Sequence, residues 1–125
     1  MKLITMLRLQ VIYFVLGILY NGLSFYLTST GKPALAPTQP VLGAISMITY
    51  ALFLIPGYLR KITLYRILMW IAVIVIGYGG VVTHIINIFT QPQIYSSIVA
   101  WAVAVGVNLF GLALNIIAVL GKFKK

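Results

Sequence analysis

The stretch GYGGVVTHIINIFTQPQ, Gly77 to Gln93, decides how this chain folds. It lies inside an uncharged run of about 55 residues, Ile67 to Gly121. A helix rising about 1.5 Å per residue over that length far exceeds the roughly 30 Å hydrocarbon core of a bilayer. The cluster Thr90-Gln91-Pro92-Gln93 supplies the break, because proline cannot continue a helix and its neighbours are polar. The run therefore divides into spans of about Ile67 to Phe89 and Ser96 to Leu120. Working outward, the uncharged run Leu9 to Gly31 holds a span of about Leu9 to Thr28, and Pro33 to Leu59 holds one of about Val41 to Leu59. Barrel strands would alternate polar and apolar residues in segments of about 10, and these runs are long and continuous.

Composition agrees. Of 125 residues, 62% are apolar and 7% charged, whereas a soluble domain carries about a quarter charged residues to wet its surface. The fold class expected is all-α: a single-domain, polytopic integral membrane protein built as a four-transmembrane-helix bundle. The net charge of +9 comes from Lys and Arg alone. On a soluble domain it would suggest nucleic acid; here the cations lie between and beyond the spans, so the partner they imply is the lipid bilayer. Lys2, Arg8, Arg60, Lys61, Arg66, Lys122, Lys124 and Lys125 fall on one side and Lys32 on the other. Positive-inside logic puts both termini in the cytoplasm, with a bacterial inner membrane as the default location. Tyr58, Tyr65 and Trp70 then belong to the inner interface, and Tyr95 and Trp101 to the outer one. Lys2 and Arg8 followed by an apolar stretch and Ala34-Leu35-Ala36 imitate a secretory signal. The apolar stretch is too long for one, and Pro37 disfavours cleavage, so the first helix is expected to be retained.

Each span carries a strip of small and polar residues at spacings of three and four, which lie on one helix face. The third span has Gly77, Gly80, His84 and Asn87; the first has Gly17, Asn21, Ser24 and Thr28; the fourth has Ser97, Trp101, Ala104, Asn108, Gly111 and Asn115; the second has Gly43, Ser46, Tyr50 and Gly57. Helices in lipid associate through close approach at small residues and through hydrogen bonds between polar side chains. Gly17, Gly77, Gly80, Ala104 and Gly111 are the expected packing positions. His84, Asn87, Asn21, Ser24, Asn108 and Tyr50 are the candidate polar cluster or binding site. With the termini inside, most of these side chains fall in the outer half of the membrane, and the inner half is expected to be poorer in amides.

The sequence also excludes chemistry. Without Asp or Glu there is no carboxylate proton relay, paired-carboxylate hydrolysis, Ca²⁺ or Mg²⁺ cage, or Ser-His-Asp triad. One His and no Cys cannot hold zinc or haem alone. No metal, cofactor or enzymatic activity is expected. Two functions follow: a non-enzymatic accessory or structural subunit of a larger membrane complex, or a small oligomeric carrier or channel for a solute or lipid-linked molecule with a polar cavity in the outer half. The partners are accordingly other membrane subunits or further copies of the chain.

In outline the chain resembles small multidrug exporters, which share its length and four spans. Their signature Glu in the first span is absent here, where Gly17, Asn21 and Ser24 stand, so their proton coupling does not carry over. Arg8 with Phe14-Val15-Leu16-Gly17 and then Asn21 also looks like the first helix of the small flippases for polyprenyl-linked sugars. That similarity covers about 20 residues, and the later spans lack the aromatic-plus-basic helix ends of those proteins.

The orientation is testable. A reporter active only in the cytoplasm should work when fused after Lys125 and fail when inserted at Lys32, and the opposite pattern would invert the topology.

Overall fold

A computed structural model describes every residue, Met1 to Lys125, and it is all-helical. Four helices are long and apolar enough to cross a membrane: α1 (Leu3–Ser29), α2 (Pro40–Tyr58), α3 (Ile62–Thr90) and α4 (Ile98–Leu120). Within α3 the stretch Ile76–Val82 is π-helical, and a short 3-10 turn, Pro92–Ile94, follows it. The break at Thr90-Gln91-Pro92-Gln93 is thus where the chain reverses.

Two of the helices run further than the uncharged runs that suggested them. Helix α1 starts six residues before the expected Leu9 and contains Arg8, and α3 starts at Ile62, five before Ile67, and contains Arg66. A charge stops the apolar run, but its long side chain extends past the hydrocarbon while the backbone stays helical. Arg66 shows how: its Nε and Nη2 donate to the Val119 carbonyl at 3.0 and 2.7 Å, serving one of the orphan carbonyls at the end of α4.

Local signals fix the helix ends. Pro40 occupies the first position of α2, and Gln39 Oε1 accepts from the Leu42 N–H at 2.7 Å. Ser97 caps α4 by accepting from the Ala100 N–H at 3.0 Å. Gly121 ends α4 at φ 68°, and the Lys122 N–H returns to the Ile117 carbonyl at 3.1 Å, a Schellman closure.

The chain runs up, down, up and down. At one end the termini meet: Leu3 N–H donates to the Lys124 carbonyl and Lys124 N–H to that of Met1, both at 2.8 Å. Phe123 packs edge-on to Tyr65 there, with ring centroids 6.3 Å apart. At the opposite end Ser96 N–H reaches the Leu35 carbonyl at 3.2 Å and joins the two long connections. The eight clustered cations lie at the terminal end and Lys32 at the other.

The terminal half holds the deepest polar groups of the protein, against the expectation that it would be poorer in amides. Gln10 and Asn115 are both 0% exposed. Gln10 Nε2 donates to Asn115 Oδ1 at 2.9 Å, Tyr50 donates to the same oxygen at 2.7 Å, and Tyr65 donates to Gln10 Oε1 at 2.6 Å. One side chain from each of the four helices meets here. Tyr50 therefore belongs to this cluster through its hydroxyl. Gln10 stands two residues from Arg8, where a polar side chain reads as membrane edge. Tyr65, expected at the interface, is fully buried.

Hydrogen bonds between spans contribute about 0.6 kcal/mol on average and up to about 1.7 kcal/mol. Gln10→Ala removes three such bonds, the third from Nε2 to the Met69 sulfur at 3.2 Å, and strands the buried Tyr65 hydroxyl. It should cost about 2 kcal/mol in a reversible mixed-micelle unfolding measurement, and Asn87→Ala, which removes no such bond, should stay within about 0.5 kcal/mol.

Candidate functional site

Glycines set how closely the helices approach. A Cβ at Gly17 would collide with the Met47 thioether, and one at Gly43 with the Asn21 amide, so α1 and α2 pack backbone to side chain. A Cβ at Gly111 would lie 2.6 Å from the Tyr13 ring, and one at Gly80 2.8 Å from the Asn108 amide carbon. Gly77 is different: its nearest neighbour would be Leu112 at an ordinary 3.7 Å. The reason is local. A π-helix bonds i to i+5 and turns more slowly than an α-helix, so the three-four-three spacing does not keep Gly77 in line with Gly80 and His84.

Asn108 organises the π segment. Its Nδ2 donates to the Gly80 carbonyl at 3.0 Å, and its Oδ1 accepts from the Tyr13 hydroxyl at 3.2 Å. The Thr83 hydroxyl donates to the Tyr78 carbonyl at 2.9 Å, five residues back. The Gly80 and Tyr78 carbonyls thus each have a side-chain donor, the latter in addition to the Thr83 N–H, and three glycines within Ile76–Val82 remove the Cβ crowding that would oppose the wider turn.

Beside this segment lies a cavity of about 510 Å³. Its floor is Tyr13 and Tyr50, edge to face at 5.0 Å. Helix α1 adds Gly17 and Asn21, α4 adds Ala104 and Asn108, α3 adds Gly79, Gly80 and His84, and Ala36 and Thr38 roof the far end. Helix α2 packs against the Ile62–Val75 part of α3 but makes no comparable contact with the rest of it. The cavity consequently opens sideways between them, past Thr49, Ile71 and Val75, all exposed. No Lys or Arg lines it.

Of the candidate polar side chains, His84, Asn21, Asn108 and Tyr50 come together on this cavity, and Ser24 and Asn87 do not. Ser24 is buried and accepts from the Leu35 N–H at 3.0 Å, tying α1 to its own connection. Asn21 donates to the Gly17 carbonyl at 2.9 Å on its own helix. Ser46 and Thr49 likewise bond back to Leu42 and Ile45. Among the packing candidates, Gly17, Gly80 and Ala104 reach the cavity wall, whereas Gly77 and Gly111 do not.

His84 is 5% exposed. Its ring is held from the far connection, and its carbonyl by Trp101 of the α4 stripe. Nδ1 stands 2.5 Å from the Tyr95 hydroxyl, and Trp101 Nε1 donates to the His84 carbonyl at 2.8 Å. Tyr95 and Trp101, expected as interfacial anchors, both hold this histidine. Burial pushes the Tyr95 phenol up, and the Asn87 side chain beside it partly opposes that.

No protein-family model, curated protein or solved structure matches this chain.

Asn108→Ala frees the Gly80 carbonyl without touching the helix ends. Amide hydrogen exchange across Gly77–Val82 should accelerate about tenfold, the effect of losing roughly one bond worth 1.4 kcal/mol, while exchange in the α1 core stays unchanged. Unaltered exchange in both would show that Asn108 does not hold the π segment.

Proposed function

We propose that this chain is a non-enzymatic integral membrane protein that takes an amphiphilic molecule sideways from the bilayer into its cavity, and so serves as a small carrier or lipid-binding component. The observation that carries this reading is the lateral opening between α2 and the far half of α3, leading to a largely apolar cavity of about 510 Å³ that holds a few polar side chains. Ligand cavities fall at about 300–1,000 Å³ and pair apolar walls with a few placed polar groups. A mouth that faces lipid selects for molecules already dissolved there.

Eight cations at the terminal end support a cytoplasmic location for both termini. The polar part of the cavity then sits in the outer half of the membrane, and a bacterial inner membrane remains the preferred setting. An accessory role in a larger complex predicts stoichiometric co-purification with that complex. Such a role needs no cavity, and the cavity is what favours binding. Four helices are few for a complete pathway, so transport would engage a second copy or another membrane subunit.

Thr49 lines the mouth, is exposed, and bonds only within its own helix. Thr49→Trp should therefore block entry without disturbing the core. A photoreactive acyl lipid should label the cavity in the unaltered protein and label Thr49→Trp at least about fivefold less, a difference of about 1 kcal/mol in occupancy. Equal labelling of both proteins outside the cavity would defeat the proposal.

A further inference from the structure

We propose that the polar end of the cavity recognises the uncharged, oxygen-bearing head of a membrane-dissolved amphiphile through a hydrogen bond from His84 Nε2, with Tyr95 as the positioning residue that fixes the imidazole tautomer. This rests on the reading of the cavity as an amphiphile site and goes on to name the head it takes.

His84 lines the cavity and is more than nine-tenths buried. Nδ1 is engaged by Tyr95, whereas Nε2 makes no hydrogen bond within the protein. Nor is Nε2 sealed away: the side-chain polar atom that is both fully enclosed and unpartnered is Asn115 Nδ2. A ring nitrogen with remaining accessible surface, inside a mostly buried residue, is a hydrogen-bonding group held in reserve. Leaving it unsatisfied costs about 1–3 kcal/mol, so a ligand that satisfies it gains by comparison with acyl chain in the same place.

The tautomer follows from the neighbours. A phenol O–H is a stronger hydrogen-bond donor than an imidazole N–H, and an imidazole nitrogen a stronger acceptor than a phenol oxygen. The phenol's own proton is then directed to Nδ1, 2.5 Å away. Nδ1 becomes the acceptor, and the imidazole proton resides on Nε2. The cavity thereby receives an N–H donor, and the complementary ligand atom is a carbonyl, ester or hydroxyl oxygen.

The head is uncharged because nothing here would balance a charge. No Lys or Arg lines the cavity, and the chain contains no Asp or Glu. A phosphate or ammonium moved from the interface into this space would lose its hydration without a counter-charge. The apolar tail leaves through the mouth at Ile71 and Val75, which are exposed on the outside of the bundle.

The test uses the full chain in maltoside micelles, isotope-labelled at the imidazole nitrogens of its one histidine, so a single ring reports by nuclear magnetic resonance. Nε2 should carry the proton, and Tyr95→Phe should mix the two tautomers. Decylubiquinone, a ring carbonyl on an alkyl tail, or dioleoylglycerol, an ester and hydroxyl head, should move the Nε2 resonance; dioleoyl phosphatidic acid should leave it in place. Whichever neutral probe responds identifies the kind of oxygen recognised. His84→Phe should weaken that probe's binding about tenfold and Tyr95→Phe about threefold, while His84→Gln, which restores an N–H, should lie between His84→Phe and the unaltered protein. Equal binding to His84→Phe with an unmoved Nε2 would overturn the role of His84 and leave the cavity reading standing. Failure of both neutral probes to bind the unaltered protein would remove both readings, and tighter binding of phosphatidic acid would overturn the uncharged head.

Discussion

A chain without a single carboxylate side chain has no salt bridges between its helices to hold them in register, and this one depends on neutral hydrogen bonds made far from water. Gln10, Tyr50, Tyr65 and Asn115 converge from four helices, with heavy-atom separations of 2.6 to 2.9 Å. In hydrocarbon an amide or hydroxyl left unpaired costs several kcal/mol, so sliding any one helix by a residue would strand groups on two others. The net stabilisation per bond is small, but the penalty for wrong registers is not. The network acts mainly as a specificity device, and its place near the joined termini makes that end the fixed end of the bundle.

From that fixed end the structure loosens in one direction. Helices α1 and α2 remain in contact through glycine against side chain, at Gly17 with Met47 and Gly43 with Asn21. Helices α3 and α4 remain joined through Asn108 and Trp101. The two pairs part between α2 and the π-helical half of α3, and the cavity lies in the gap. One arrangement of hydrogen bonds therefore accounts both for a rigid base and for a lateral opening, since the donors that could close the gap are used along the helix pairs instead.

The four crossings were legible because hydrocarbon imposes a length and a continuity that soluble proteins do not share, and Pro92 marks the third turn plainly. Glycine spacing also carried real information at Gly17, Gly80 and Gly111, where a side chain from the neighbouring helix occupies the Cβ position. The reading failed where it assumed an unbroken α-helical period. Across Ile76–Val82 the wider turn moves Gly77 out of line, and nothing in a glycine-rich run distinguishes a π segment from a helix crossing before Asn108 is seen on the Gly80 carbonyl. It failed also at the membrane edges. Gln10 and Tyr65 flank Arg8 and Arg66 and look interfacial, yet both are fully buried, because the charged neighbours point outward from the same turns.

The same edge effect explains why a lone histidine is tolerated inside an apolar span. A buried imidazole is usually held through one nitrogen by a partner that also sets which nitrogen is protonated. In this chain no carboxylate exists to do so, and a phenol from the connection, Tyr95, takes that position while an indole, Trp101, anchors the histidine backbone. Both partners lie beyond Pro92, so the turn that divides the long apolar run also delivers the groups that orient His84. The break and the histidine, adjacent in the sequence, are one construction: without the reversal at Gln91 the imidazole would have acyl chains for neighbours, and with it one nitrogen is satisfied and the other is left for the cavity.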